Sequence, residues 1–215
     1  MIKKQLLLKA AFFASLMTKS LNIAAFLPHS NVNGPGSRFV LWLQGCSHGC
    51  ARCFNAAMQA PKKATLLSIP SVYSLIIKNR KYIEGVTYTG GEPFDQAAGL
   101  FQLTKMLKHD GLSVMSYTGY TLEELRRSRA GSKLKLLKEL DLLIDGPFLY
   151  EAGACNGWRG SANQQCHVFD ANLRPENNDS ENAMEIIINE QGDIALTGFF
   201  PGDVQNTIAK VMGGR

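Results

Sequence analysis

The chain has 215 residues, of which 45% are hydrophobic and 19% charged, with a net charge of +5 at pH 7, which is enough for one domain around a single core. Its near-neutral mean hydropathy excludes a disordered or membrane-spanning chain. The basic residues are scattered into short clusters, Arg126, Arg127 and Arg129 or Lys133, Lys135 and Lys138, which read as solvated helix faces and not as a nucleic-acid patch. Neither a membrane nor a nucleic acid is therefore expected as a partner.

The first residues, MIKKQLLLKAAFFASLM, place two lysines before an apolar stretch, but Lys9 interrupts it and no small-x-small cleavage site follows. Residues 1–20 read as an N-terminal extension, an amphipathic helix if translated from Met1, with Met17 as an alternative start, and 21–215 as one domain. RFVLWLQG at 38–45 is a β-rich apolar run ending in Gly45, so the cysteines that follow leave a strand on a loop. Ser71 to Lys81, entered through Pro70, has helical spacing, and GVTYTG then reads as a strand ending at Gly90 and Gly91. Asp95 is placed to cap a helix carrying Leu100, Leu103, Met106 and Leu107. LSVMSYTG is the next strand, Thr121 with Glu124 forms a capping box for another helix, and LDLLID at 140–145 is a strand stopped by Gly146 and Pro147. Strand and helix alternate, which predicts an α/β fold with parallel strands and right-handed crossovers, the cysteine and glycine loops sharing the C-terminal edge. From 149 to 183 periodicity is weak, MEIIIN and DIALTGFF suggest a hairpin, and the last segment suggests a short helix.

Five cysteines, three of them in the eight-residue run CSHGCARC, suit a metal site better than a disulfide framework and imply a reducing, cytoplasmic compartment. The spacing C-x3-C-x2-C brings Cys46, Cys50 and Cys53 to one centre. Zinc and electron-transfer clusters ordinarily take four protein ligands, whereas three leave one iron of a cluster open. His48, Cys155, Cys166 and His167 stand as possible fourth ligands, so a zinc site stays an alternative. About forty residues on, Thr89-Gly90-Gly91-Glu92-Pro93 ends the next strand. Paired glycines let backbone approach a ligand closely, and Glu92 adds an acceptor there.

With these two motifs the sequence resembles the radical-SAM superfamily, and more closely the activating proteins of anaerobic ribonucleoside-triphosphate reductase and related glycyl-radical-enzyme activases. The likeness runs from about Leu21 to Gln164 through NGPGSR, CSHGCARCFN, TGGEPFDQ, YTGYTLEEL, LIDGPF and WRGSANQ. The resemblance implies a partial TIM-type barrel of parallel strands with the cluster at their C-terminal edge. It implies a 4Fe-4S cluster on Cys46, Cys50 and Cys53 and S-adenosyl-L-methionine (SAM) on the fourth iron. Gly90, Gly91, Glu92 and Pro93 would hold the methionine end, and Arg52 and Phe54 would lie against the adenine, although many superfamily members carry an aromatic residue where this chain has Arg52. Ser116, Thr118 and Gly119 are candidates for ribose or carboxylate contacts, Asp145 is a further strand-end candidate or a plain turn aspartate, Trp158, Arg159, Ser161 and Asn163 are candidates to contact SAM or the partner peptide, and Asn33 to Gly36 form a tight turn near the cluster. The activity implied is reductive SAM cleavage and formation of a glycyl radical on a partner such as anaerobic ribonucleotide reductase, with electrons from an external donor such as flavodoxin or ferredoxin. Modification of another peptide or metabolite, or a non-catalytic metal-binding regulatory module, are the alternatives.

Overall fold

The computed structural model describes residues 19–153, 155, 157–173, 183–188, 191–192 and 194–199. Most of the N-terminal extension, most of the Asn-rich stretch and the terminal segment expected as a helix lie outside the described residues. The elements are β1 (Ser20–Ser30), β2 (Arg38–Leu43), β3 (Thr65–Ser68), α1 (Ile69–Ile77), β4 (Gly85–Gly90), α2 (Ala97–His109), β5 (Ser113–Tyr117), α3 (Leu122–Arg127), α4 (Gly131–Glu139), β6 (Leu142–Asp145), β7 (Gln165–Val168), β8 (Met184–Ile188) and β9 (Ile194–Gly198).

Seven strands form one sheet in the order β3-β1-β2-β4-β5-β6-β7, while β8 and β9 pair separately. The four central strands β2, β4, β5 and β6 are parallel, and β1, β3 and β7 add antiparallel flanks. The outer strands β3 and β7 stay unjoined to each other, giving the α/β class that the alternating pattern predicts and an open, mostly parallel sheet of the kind the resemblance implies. Strands buried on both faces need continuous apolar runs; Phe39 to Leu43 of β2 supply one, while β4 buries Thr87 between Val86 and Tyr88 with its hydroxyl bonded to Arg38 and Asn33. One face carries the main core, where Leu41, Leu43, Val86 and Tyr88 meet Ile69, Val72 and Ile76 of α1, Leu100, Leu103 and Leu107 of α2 and Leu136 of α4. The other face carries a smaller cluster of Met115, Leu142 and Ile144 against Tyr117, Trp158 and Cys166.

Local signals account for the helix ends. Ser68 caps α1 by accepting from Ser71 N, with Pro70 in the first turn, and the Thr121–Glu124 capping box of α3 is formed in both directions. The first helix stops at Ile77, short of the expected Lys81, and a 3₁₀ turn at Arg80–Tyr82 completes the segment. Asp95 does not cap α2. It lies inside the 3₁₀ turn Pro93–Gln96, which Glu92 caps instead, and Asp95 turns to the cysteine loop. No helix among the described residues is long and apolar enough to cross a membrane.

Candidate functional site

Because β2, β4, β5 and β6 are parallel, the loops after Leu43, Gly90, Tyr117 and Asp145 emerge on one edge. The cysteine loop begins under two backbone hydrogen bonds, Gly45 N to Met58 O (2.8 Å) and Cys46 N to Gln59 O (3.0 Å). The Gln59 amide donates to Cys50 O (2.9 Å), so the turn after the third cysteine folds back on the first two. Gly49 (φ 63°) and Arg52 (φ 55°) are left-handed, curling the loop so that all three cysteines line one cavity. For Arg52, which carries a Cβ, that conformation costs about 1–2 kcal/mol. All three are free thiols. Burial pushes the Cys46 and Cys53 thiols above the ordinary value, so metal binding there must displace protons.

The glycine pair welds β4 to this loop. Gly91 N donates to Leu43 O and Glu92 N to Gly45 O, both at 2.8 Å. A Cβ on Gly91 would stand 2.1 Å from Gly45 O, and one on Gly90, at φ 98°, would stand 2.6 Å from Leu43 N. The buried Glu92 carboxylate accepts from Phe94 N (2.8 Å), Thr118 Oγ1 (2.9 Å) and Gly119 N (2.8 Å), and His48 Nε2 lies 3.4 Å from it. That carboxylate, opposed by burial, raises the His48 pKa. Asp95 accepts from Ser47 N (3.0 Å) and Ser47 Oγ (3.1 Å), and from the Tyr120 hydroxyl (3.1 Å). Glu92 and Asp95 thus tie the ends of β4 and β5 to the cysteine loop.

These elements surround a cavity of about 770 Å³, within the range of cofactor sites. Cys46, Cys50, Cys53, Phe54, Gly90, Gly91, Glu92, Thr118 and Gly119 line it. Phe54 meets Phe148 at 4.8 Å between ring centroids, making an aromatic lip. Three expected contacts are not brought to it. Arg52 is exposed and sets its guanidinium 4.4 Å over the Tyr150 ring, Pro93 is buried at the start of the 3₁₀ turn, and Ser116 is buried one pleat back from the strand end with its hydroxyl donated to Tyr117 O (3.0 Å). The Glu92 carboxylate reaches the cavity already engaged as a clamp. Asp145 faces away, holding Leu122 N (2.5 Å) and His167 (3.1 Å).

Sequence reasoning missed Tyr117, Phe148 and Met58 as lining residues, together with Trp42. Of these Tyr117 opens YTGYTLEEL, Trp42 lies in RFVLWLQG, Met58 lies in no quoted motif, and Phe148 lies in LIDGPF. Gln164, the last residue of WRGSANQ, accepts from Gly160 N (2.8 Å) and donates to Gly146 O (2.9 Å), joining the two motifs. None of the suggested fourth ligands joins the thiols as a free donor. His48 packs edge-on against Tyr120 at 4.4 Å and faces Glu92, Cys155 Sγ donates to Arg159 O (3.4 Å), Cys166 packs on the smaller core, and His167 pairs with Asp145. Among the described residues no three His, Cys, Asp or Glu side chains converge as ligands of one ion. Three thiols lining one cavity fit a cluster, which gives each thiolate its own iron and keeps one iron open.

Residues 32–167 match the family of 4Fe-4S single cluster domains. An anaerobic ribonucleoside-triphosphate reductase-activating protein of Enterobacteria phage T4 is 30% identical over 151 residues, covering 67% of this chain and 92% of that protein. The protein of that name from Vibrio cholerae is 32% identical over 157 residues, covering 69% of this chain and 99% of its own length. Among solved structures, QueE from Escherichia coli aligns with a TM-score of 0.41 and 21% identity over 50% of this chain and 57% of that one.

Proposed function

Because this chain belongs to the family of anaerobic ribonucleoside-triphosphate reductase-activating proteins, we propose that it carries its 4Fe-4S cluster on Cys46, Cys50 and Cys53, binds SAM beside it, and forms a glycyl radical on an anaerobic ribonucleotide reductase. When bound, the pair supplies one-electron cleavage of the sulfonium to methionine and a 5′-deoxyadenosyl radical, which takes a hydrogen atom from the partner's glycine; the electron comes from an external donor such as flavodoxin or ferredoxin. The protein's task is placement and exclusion of water. Three thiolates from one curled loop leave an iron for the substrate. The glycine pair offers close backbone approach, Thr118 is held in place by Glu92, and Phe54 with Phe148 supplies an apolar lip for a purine ring. No side chain is required as acid or base.

The observation that carries this reading is the meeting of the three thiols and the Gly-Gly-Glu strand end on one cavity at the C-terminal edge of four parallel strands. The test is anaerobic reconstitution with iron and sulfide, reduction with dithionite and assay for 5′-deoxyadenosine from SAM, followed by electron paramagnetic resonance after adding the reductase. Wild type should yield 5′-deoxyadenosine and a glycyl-radical signal, and Cys50→Ala neither. A fully loaded wild type that cleaves no SAM even with the reductase present would sink the reading.

A further inference from the structure

The β8–β9 hairpin lies beyond residue 167, where the family match ends, yet it does not hang free of the site. Ile187 of β8 and Ala195, Leu196 and Thr197 of β9 line the same cavity as the three cysteines. The hairpin is anchored by a buried clamp. Asn33 Nδ2 donates to Thr197 Oγ1 (2.8 Å) and Thr197 Oγ1 lies 3.2 Å from Asn33 Oδ1. Asn33 is itself fixed by Ser30 Oγ (2.8 Å) and by Thr87 Oγ1, which donates to its carbonyl (2.8 Å). Further along, Asn31 N donates to Glu185 Oε1 (2.8 Å), and the Phe199 ring sits 5.8 Å from that of Tyr117. The turn at Asn33, expected beside the cluster, is where the hairpin docks.

The chemistry of this wall differs from that of the cysteine loop and the glycine corner. The remaining walls carry thiols, His48, glycine backbone, the Glu92 clamp and the aromatic lip, with a second apolar strip of Ala25, Phe26 and Leu27 of β1. The hairpin contributes aliphatic surface, and its one inward hydroxyl, on Thr197, is committed to Asn33. Its lining side chains Ile187, Ala195, Leu196 and Thr197 bring no charged group to the cavity, and they bound one side of it.

We propose that the β8–β9 hairpin is a specificity wall for the radical acceptor: seated by the Asn33–Thr197 clamp, it narrows one side of the cavity so that only a peptide segment with a glycine at its tip reaches the cluster. The proposal rests on the activase reading above and adds that the wall acts on hydrogen transfer, not on SAM cleavage.

Two full-length variants move the wall in opposite directions. Ala195→Trp narrows it and Ile187→Ala widens it; both positions are at least partly solvent-exposed, so folding should survive. Dithionite-driven 5′-deoxyadenosine formation without partner is measured in both, and hydrogen transfer is read per 5′-deoxyadenosine formed. The glycyl-radical signal on the reductase should fall about tenfold in Ala195→Trp. Deuterium transfer into 5′-deoxyadenosine from a short peptide with α-deuterated glycine should rise about threefold in Ile187→Ala. Unchanged transfer in both variants overturns the proposal, as does a parallel loss of SAM cleavage and transfer, which would make the hairpin part of the SAM site. A wild type that cleaves no SAM overturns instead the activase reading beneath it.

Discussion

Gly91 has no room for a side chain because its neighbour is backbone: the carbonyl of Gly45, one residue before Cys46, would lie 2.1 Å from a Cβ. A peptide oxygen inside a strand-end ladder cannot swing aside, so Gly91→Ala must push the cysteine loop off β4, a form of overpacking that costs about 1–3 kcal/mol. Gly49 provides the contrast, since a Cβ there meets nothing within 4 Å and only its φ of 63° resists. Urea denaturation of the apoprotein should show a loss for Gly91→Ala, and its iron content after reconstitution should fall below half of wild type and below that of Gly49→Ala. Equal iron loading in the two variants would refute the weld between the motifs. A close backbone approach at the glycine pair was legible from sequence. Its target was not, because only the register that sets Leu43 opposite Gly90 brings Gly45 there. Adjacency to a motif does not decide which residues line the cavity, and Arg52, Pro93 and Ser116 are not among them. Ser116 shares a face with Thr118 but sits two residues, about 6–7 Å, deeper in the strand.

Elements with a full local code were read correctly, and those held by tertiary pairing were not. The parallel strands announce themselves as apolar runs closed by glycine, and the β8–β9 hairpin by two β-rich runs across a turn. The strand β1 carries Pro28 and irregular register against β2, and β3 and β7 have four residues each, too few for periodicity to register. The helix α3 has only six residues, so its cap matters more than its propensity. Thr121→Ala should destabilise the protein by about 1 kcal/mol at neutral pH, measured by chemical denaturation. The effect is pH-dependent. The Thr121 backbone N–H, then its hydroxyl, hold the Glu124 carboxyl below its ordinary value. A carboxyl depressed in the folded state contributes fully above its unfolded pKa and loses that contribution as pH falls through the folded value. The gap between wild type and Thr121→Ala should therefore narrow as pH drops below the usual glutamate range, and a gap that widened would contradict the box.

At the scale of the molecule the sheet separates two tasks between its two edges. The C-terminal edge carries the thiols and the glycine corner, and the N-terminal edge is held by Arg38, fully buried at the start of β2. Its five N–H groups make five hydrogen bonds: to Thr87 Oγ1 (2.7 Å), Pro35 O (3.0 Å), Ser113 Oγ (3.1 Å), Val86 O (2.7 Å) and Ser113 O (3.2 Å). One guanidinium thereby fastens the first residues of β2, β4 and β5. Burial lowers its pKa to about 10, so it remains charged at neutral pH. Arg38→Met would orphan several buried acceptors at about 1–3 kcal/mol each, and Arg38→Lys should recover only part, because an ammonium has three donors and no planar fork. Both variants should unfold at clearly lower urea concentration. Because the lesion lies at the far ends of the strands, iron bound per folded chain and 5′-deoxyadenosine formed per cluster should stay near wild type under native conditions. If Arg38→Lys loses SAM cleavage while it remains folded, the separation of tasks fails; if it loses only the glycyl-radical signal, the hairpin wall has moved along the chain Arg38 to Thr87, Thr87 to Asn33, and Asn33 to Thr197.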